Sequence, residues 1–281
     1  MIIFIPTRGR VDKQVTRQCF YMDEIQKKYL VVYVVPDEEL GLWDAKEPNC
    51  KLENDWSRDD PGINILGVPN YWKFSDIRQH IVDEYKYADK YQVCMDDDLR
   101  FLRRRTPTDP AQLKGTLQDS IDMFKRIEGY LKGGYHHGAI STRPGNHNVE
   151  TETKENTRAL DLHFYNAETI FKEGLKFTDV LLKQDLHMTM SMLELGYRNI
   201  VDYYYIAGQT NNGNNPGGCN LWRTLDMLNE ASYALQKLHP KYIKTRVKKS
   251  LSTYGGVDRI EVTCYWKNCF NSRAAERKLY R

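Results

Sequence analysis

Two uninterrupted apolar runs constrain this chain more than any other feature: Ile2-Ile3-Phe4-Ile5, and Leu30-Val31-Val32-Tyr33-Val34-Val35. Strands without a polar face are buried on both sides, as in a parallel sheet covered by helices. A third run, Tyr91-Gln92-Val93-Cys94-Met95, is less pure but similarly bounded. Between the runs, apolar residues recur at helical spacing. Ile77, Ile81, Tyr85 and Ala88 follow a Ser75-Asp76 cap, and Leu117, Ile121, Phe124 and Leu131 follow Thr116. The order strand–helix–strand–loop–helix–strand predicts a doubly wound α/β fold.

The stretch 40–70, with Gly41, Pro48, Pro61, Gly62, Gly67 and Pro69, reads as loop. Strands are expected over Gly138–Thr142 and Leu160–Tyr165. In the second, Leu160, Leu162 and Phe164 alternate with Asp161, His163 and Tyr165, which predicts one wet face. The polar stretch 143–158 is expected to connect them without regular structure. Further on, the spacing predicts a helix from Leu186 to Gly196, a strand over Ile200–Ile206, and a loop over Asn211–Gly218. A long helix over Leu221–Leu238 stops before Pro240, and a strand follows over Ile260–Trp266.

Composition excludes several classes. With 281 residues and 41% hydrophobic content the chain can bury a core, so global disorder is excluded. No apolar run reaches the 18 residues a spanning helix needs, so no membrane partner is expected. The N-terminus lacks a basic leader and a cleavage site. Six scattered cysteines form no C-x-x-C, and a reducing cytoplasm is the expected location. His136 and His137 are adjacent, so a strand would send them to opposite faces rather than to one metal.

The net charge of +3 hides an asymmetry. Residues 241–281 hold 11 basic and 3 acidic residues, a charge of +8, which leaves −5 on the rest. Lys241, Lys244, Arg246, Lys248 and Lys249 lie at helical spacing beside Tyr242 and Tyr254, which suits a polyanion partner such as DNA. A solvated terminal helix is the alternative. Arg100, Arg103, Arg104 and Arg105 form a second basic cluster, readable as an acceptor or diphosphate contact or as an exposed face.

In an open parallel sheet, ligands bind beyond the carboxyl ends of the strands. Here those ends are Pro6-Thr7-Arg8-Gly9-Arg10, Pro36-Asp37-Glu38-Glu39 and Asp96-Asp97-Asp98. Arginines suit phosphates and carboxylates suit a hard divalent cation. Three consecutive carboxylates at a strand end repel one another unless something cationic offsets them. Asp96 and Asp98 point the same way in an extended chain, so they are the expected ligand pair. An acidic turn neutralised by Arg100 or Arg103 remains open.

This pattern resembles the DXD motif of GT-A glycosyltransferases. The resemblance implies a GT-A fold, α/β with a central mixed, mostly parallel sheet. It also implies a Mn²⁺ or Mg²⁺ ion on Asp96 and Asp98, bridging the diphosphate of a nucleotide-sugar. It places Thr7, Arg8, Arg10, Asp37, Arg78 and Asp97 with the nucleotide. Gln184-Asp185 resembles the xED motif, with Gln184 where the first carboxylate would stand, and implies that Asp185 is the catalytic base. An N-terminal helix cap is the other reading of Asp185. His187 is expected in the core rather than at the metal.

More narrowly, the chain resembles the TET-associated glycosyltransferases of bacteriophages over about residues 1–240. The likeness rests on the Pro-x-Arg-Gly-Arg start, Gly67-Val68-Pro69 before an Arg-containing helix, Asp96-Asp97-Asp98, Gln184-Asp185-Leu186-His187, and Gly217-Gly218 followed by Arg223. It implies transfer from a UDP-linked sugar to a hydroxymethylated pyrimidine in DNA, with residues 1–240 as the catalytic domain and 241–281 as a basic extension. A nucleotidyltransferase, a glycosyltransferase acting on another acceptor, and a non-catalytic DNA-binding module are the alternatives.

Overall fold

Ile3 and Ile5 face one side of the first strand and Ile2 and Phe4 the other, and all four are buried. That two-sided burial is the reason for the apolar runs. The structure, a computed structural model, describes residues 1–47, 49–57, 62–209, 218, 222–249 and 258–279. In chain order the elements begin with β1 (Ile2–Pro6), α1 (Val15–Cys19), α2 (Met22–Ile25), β2 (Leu30–Pro36), α3 (Leu40–Lys46), β3 (Asn64–Val68), α4 (Phe74–Tyr85) and β4 (Tyr91–Met95). Next come β5 (Leu99–Arg104), β6 (Gln112–Lys114), α5 (Leu117–Lys132), β7 (His137–Ser141), β8 (Thr153–Glu155), β9 (Leu162–Asn166) and α6 (Ala167–Lys172). The chain continues with α7 (Gln184–Glu194), β10 (Asn199–Gln209), α8 (Leu225–Leu238), β11 (Ile243–Lys248), β12 (Arg259–Cys264) and α9 (Trp266–Leu279).

Nine strands follow the order β3-β2-β1-β4-β9-β7-β10-β5-β6, with β8 paired to β10. The half that carries the apolar runs, β3-β2-β1-β4, is parallel, with Ile3 opposite both Val31 and Val93. β9 then enters antiparallel between β4 and β7. This is the expected α/β architecture, GT-A-like, with a mixed sheet flanked by helices. On one face Ile3, Ile5, Val31 and Tyr33 pack with Met123, Phe124 and Ile127 of α5. On the other, Phe4, Val32 and Val34 pack with Ile81 and Tyr85 of α4. Each such fully buried side chain contributes about 1.5–3 kcal/mol. Gly138 of β7 is required by close approach, because a Cβ there would sit 2.3 Å from the Ile200 carbonyl oxygen.

Several expectations are corrected. The stretch 40–70 is not all loop: it contains α3 and the edge strand β3, whose Ile65, Leu66 and Val68 are buried against the sheet. The 143–158 segment contributes β8. The expected wet face of β9 is dry. His163 and Tyr165 are buried beneath a layer that includes Phe177, Met188 and Met192. Arg100 to Arg104 lie on β5, and residues 243–248 form β11 rather than a helix, pairing antiparallel with β12. Arg103 pairs with Asp119, and Arg105 with Asp109. Arg104 is fully buried and donates to Asn146 and to the Val149 carbonyl. Arg104 therefore braces loops, whereas Arg100 and Arg105 are exposed.

Packing crosses the charge boundary at residue 240. Ile243 and Cys269 share one apolar cluster with Leu186, Met190, Leu193 and Leu235 of α7 and α8, with Trp266 against it. No helix among the described residues is long and apolar enough to cross a membrane.

Candidate active site

Register decides where the strand ends meet. Because β1 lies between β2 and β4, the loop after β1 sits directly beside the aspartates that follow β4. Thr7 Oγ1 donates to Asp97 Oδ2 at 2.5 Å, and Gln14 Nε2 donates to Thr7 Oγ1 at 3.1 Å and to the Arg10 carbonyl at 2.7 Å. Arg10 is ion-paired with Asp97, and its Nη1 lies 3.3 Å from Asp98 Oδ2. Thr16 fixes the acidic turn from below: its hydroxyl donates to the Asp96 carbonyl at 2.6 Å and accepts from the Leu99 N–H at 2.9 Å. Asp97 is thus a buried strut between two loops. Burial pushes its carboxyl up to about 6, against the pull of Arg10 and Thr7.

Above this strut opens a cavity of about 750 Å³, within the size range of small-molecule sites. Its wall includes Thr7, Arg8, Arg10, Arg78, Asp96, Asp97, Asp98 and Asp185. The structure therefore brings together eight of the nine expected site residues. Asp37 is the ninth. It is exposed on the turn after β2, its Oδ1 is 2.7 Å from where a Cβ on Gly67 would lie, and it is not among the cavity-lining residues.

Arg78 is held on α4 over the Phe74 ring, 4.3 Å from its centroid. The side chain is buried and its Nε has no hydrogen-bond partner. Burial works against its charge, but Cys94, Asp96 and Asp185 outweigh that and raise its pKa. A buried guanidinium bordering a cavity with a donor to spare suits an anionic ligand.

Asp185 occupies the first turn of α7, and the cap position belongs to Lys183, a non-glycine residue at φ 61°. Asp185 Oδ1 accepts from the Leu186 N–H at 2.9 Å. The carboxylate therefore braces the first turn without being its cap, and it borders the cavity. His187, two residues further along α7, is not among the cavity-lining residues. It is buried, with Nδ1 2.9 Å from His239 Nε2, so it belongs to the core as expected.

Two site residues lie where the sequence carries no motif. Gln209, at the end of β10, donates from Nε2 to Asp96 Oδ2 at 2.7 Å. Asp161 precedes β9 at φ 59°, and the Leu162 N–H closes onto the Leu160 carbonyl at 2.7 Å around it. Such a three-residue turn with positive φ is strained for a side-chain-bearing residue. It sets the Asp161 carboxyl in the cavity wall, where burial, Asp185 and Asp98 push it up to about 7 against Arg158 and Arg78. Burial and Asp161 likewise raise Asp96 well above the usual carboxylate range. The only signal in the sequence was an acid where the strand pattern called for its alternating partner.

A family model described as TET-Associated Glycosyltransferase matches residues 1–218. The chain belongs to the TET-associated glycosyltransferase family. No curated protein matches it. A glycosyltransferase brings a sugar donor and a nucleophilic acceptor together, and the matched residues include the arginines, the three consecutive aspartates and Asp185. Of the Asn211–Gly218 loop only Gly218 lies within the described residues. Its N–H donates to the Arg8 carbonyl at 3.0 Å, and at φ +60° it leaves room for Arg10.

No group of three or more His, Cys, Asp or Glu side chains is arranged to hold a metal ion among the described residues. Magnesium-type ions are commonly held by one or two carboxylates plus substrate phosphates, so the donor set of Asp96 and Asp98 fits such an ion once a diphosphate is present.

Proposed function

We propose that this glycosyltransferase moves a sugar from a nucleoside diphosphate donor, UDP-linked, to the hydroxyl of a 5-hydroxymethylpyrimidine in DNA. The observation that carries this reading is the junction of Arg8, Arg10, Arg78 and the Asp96–Asp98 turn with Asp185 on one cavity. Arginines and carboxylates together on a single pocket match a phosphate-bearing donor and a group that must lose a proton.

In this reading Thr7, Arg8, Arg10 and Arg78 hold the nucleotide and its diphosphate, with Asp97 fixing Thr7 and Arg10. Asp37 extends the nucleotide contacts from the turn beside β3. Asp96 and Asp98 would hold a Mn²⁺ or Mg²⁺ ion, which would supply charge stabilisation to the departing diphosphate, worth several kcal/mol. Asp185 takes the proton of the acceptor hydroxyl as its oxygen bonds to the anomeric carbon and the bond to the diphosphate breaks. General base action of this kind is worth about 10²–10⁴-fold. An acceptor base in duplex DNA reaches the cavity by flipping out, at a cost of a few kcal/mol.

The test is incubation with a panel of nucleotide-sugars, Mn²⁺ and hydroxymethylcytosine DNA, followed by nucleoside mass spectrometry. A hexose or pentose mass on the base, with release of nucleoside diphosphate, is expected. Release of pyrophosphate instead would turn the assignment to nucleotidyl transfer, and an unmodified base with every donor would remove DNA as acceptor.

A further inference from the structure

The family match ends at residue 218, yet the cavity does not. Its wall also includes Trp222, Leu228, Arg259, Glu261, Val262 and Trp266, all beyond that limit. The β11–β12 hairpin is tied to the catalytic side. The Ile260 N–H donates to Asn229 Oδ1 at 2.8 Å, and Ser232 Oγ lies 3.0 Å from the Ile260 carbonyl oxygen. The same Ser232 hydroxyl accepts from Lys183, the strained residue two positions before Asp185. The hairpin is thereby fastened through α8 to the start of α7.

Its charge has a direction. The two strands carry Lys244, Arg246, Lys248 and Arg259 against the single acid Glu261. Glu261 gathers three of the cations, with contacts of 3.1 Å to Arg246, 3.0 Å to Lys248 and 3.2 Å to Arg259. Arg246 and Lys248 are exposed, whereas Arg259 borders the cavity. One carboxylate cannot neutralise three cations, so a net positive track runs from the outer strand into the site. Arg8, Arg10 and Arg78 border the same cavity and hold the donor in the reading above, which leaves this second set of cations for the acceptor.

We infer that the β11–β12 hairpin is the acceptor wall, and that it selects a polyanionic strand whose backbone phosphates follow Lys248, Arg246 and Arg259 to the cavity mouth. Trp222 and Trp266 then supply apolar surface for the base that enters. This rests on the glycosyl-transfer reading above and adds a place and a recognition mode for the acceptor. It also assigns acceptor choice to the part of the chain outside the family match.

The experiment compares the full-length wild type with the double variant Arg246→Ala/Lys248→Ala, whose substitutions lie on an exposed strand. Transfer from each nucleotide-sugar of the same panel, with Mn²⁺, is measured to hydroxymethylcytosine DNA and to the free 5-hydroxymethyl-2′-deoxycytidine nucleoside. DNA affinity is measured by fluorescence anisotropy across a salt series. The variant is expected to lose at least tenfold more kcat/KM on DNA than on the nucleoside. Its log affinity against log salt should be shallower by about 1.4–1.8, two phosphate contacts at 0.7–0.9 each. Equal losses on both acceptors, or an unchanged salt slope, would overturn the inference. If the wild type modifies neither acceptor but the slope still drops, the hairpin assignment stands and the hydroxymethylpyrimidine reading fails.

Discussion

Gln209 Nε2 donates to Asp96 Oδ2 at 2.7 Å, joining residues 113 positions apart at the end of β10 and the end of β4. The bond orients one proposed metal ligand from across the sheet. Loss of a residue that orients a metal ligand typically costs about 10- to 100-fold in metal affinity, so Gln209→Ala should weaken the apparent Mn²⁺ affinity by about that factor. Manganese titration of donor turnover measures it, and the thermal midpoint should move little.

Asp185→Asn keeps the size and the acceptor oxygen that braces Leu186 but cannot take a proton. Transfer should fall by about 10²–10⁴-fold with donor affinity intact by calorimetry. Wild-type rates would leave Asp185 as a brace for α7 and nothing more.

Asp161→Asn tests the strained turn. Asparagine tolerates positive φ as well as aspartate does, so the backbone is spared. Removal of one carboxyl from the Asp96, Asp98 and Asp185 neighbourhood should relieve repulsion and raise the melting temperature by about 2–4 °C per kcal/mol gained. Turnover should fall at the same time. A lower melting temperature with full activity would mean that Asp161 is a structural residue.

The acidic wall also sets a pH dependence. Asp161 at about 7 and Asp97 at about 6 both lie above the unfolded value of 3.8. From about pH 4 upward the folded chain retains protons that the unfolded chain has released, so stability falls as pH rises until both groups have ionised. The metal-free protein should melt at a lower temperature at pH 8 than at pH 5. Added Mn²⁺ with UDP should flatten that slope, because binding to the folded state favours the ionised carboxylates. Differential scanning fluorimetry over pH, with and without the pair, provides the check.

The sequence by itself determined three of the four parallel strands, β1, β2 and β4, and one rim of the site. Ile2–Ile5 and Leu30–Val35 have no polar face, so they could only become strands buried on both sides. Chain direction then placed Thr7, Arg8, Arg10 and Asp96–Asp98 along one rim, at the carboxyl ends of their strands. The β3 strand stayed hidden because Gly67 and the flanking prolines signal turns, and only the buried contacts of Ile65 and Leu66 outweigh them. Likewise, the alternation at 160–165 suggested solvent on one face, and the helical layer that covers His163 and Tyr165 is a long-range fact.

Tertiary structure alone decided what closes the pocket. Gln209 meets Asp96 through strand order, Asp161 is turned inward by a backbone conformation that local preference disfavours, and β12 reaches the cavity because α8 carries it back. Local pattern reports the faces an element must bury. Which distant element covers each face depends on packing free energy summed over the whole chain, and no short window of residues contains that sum.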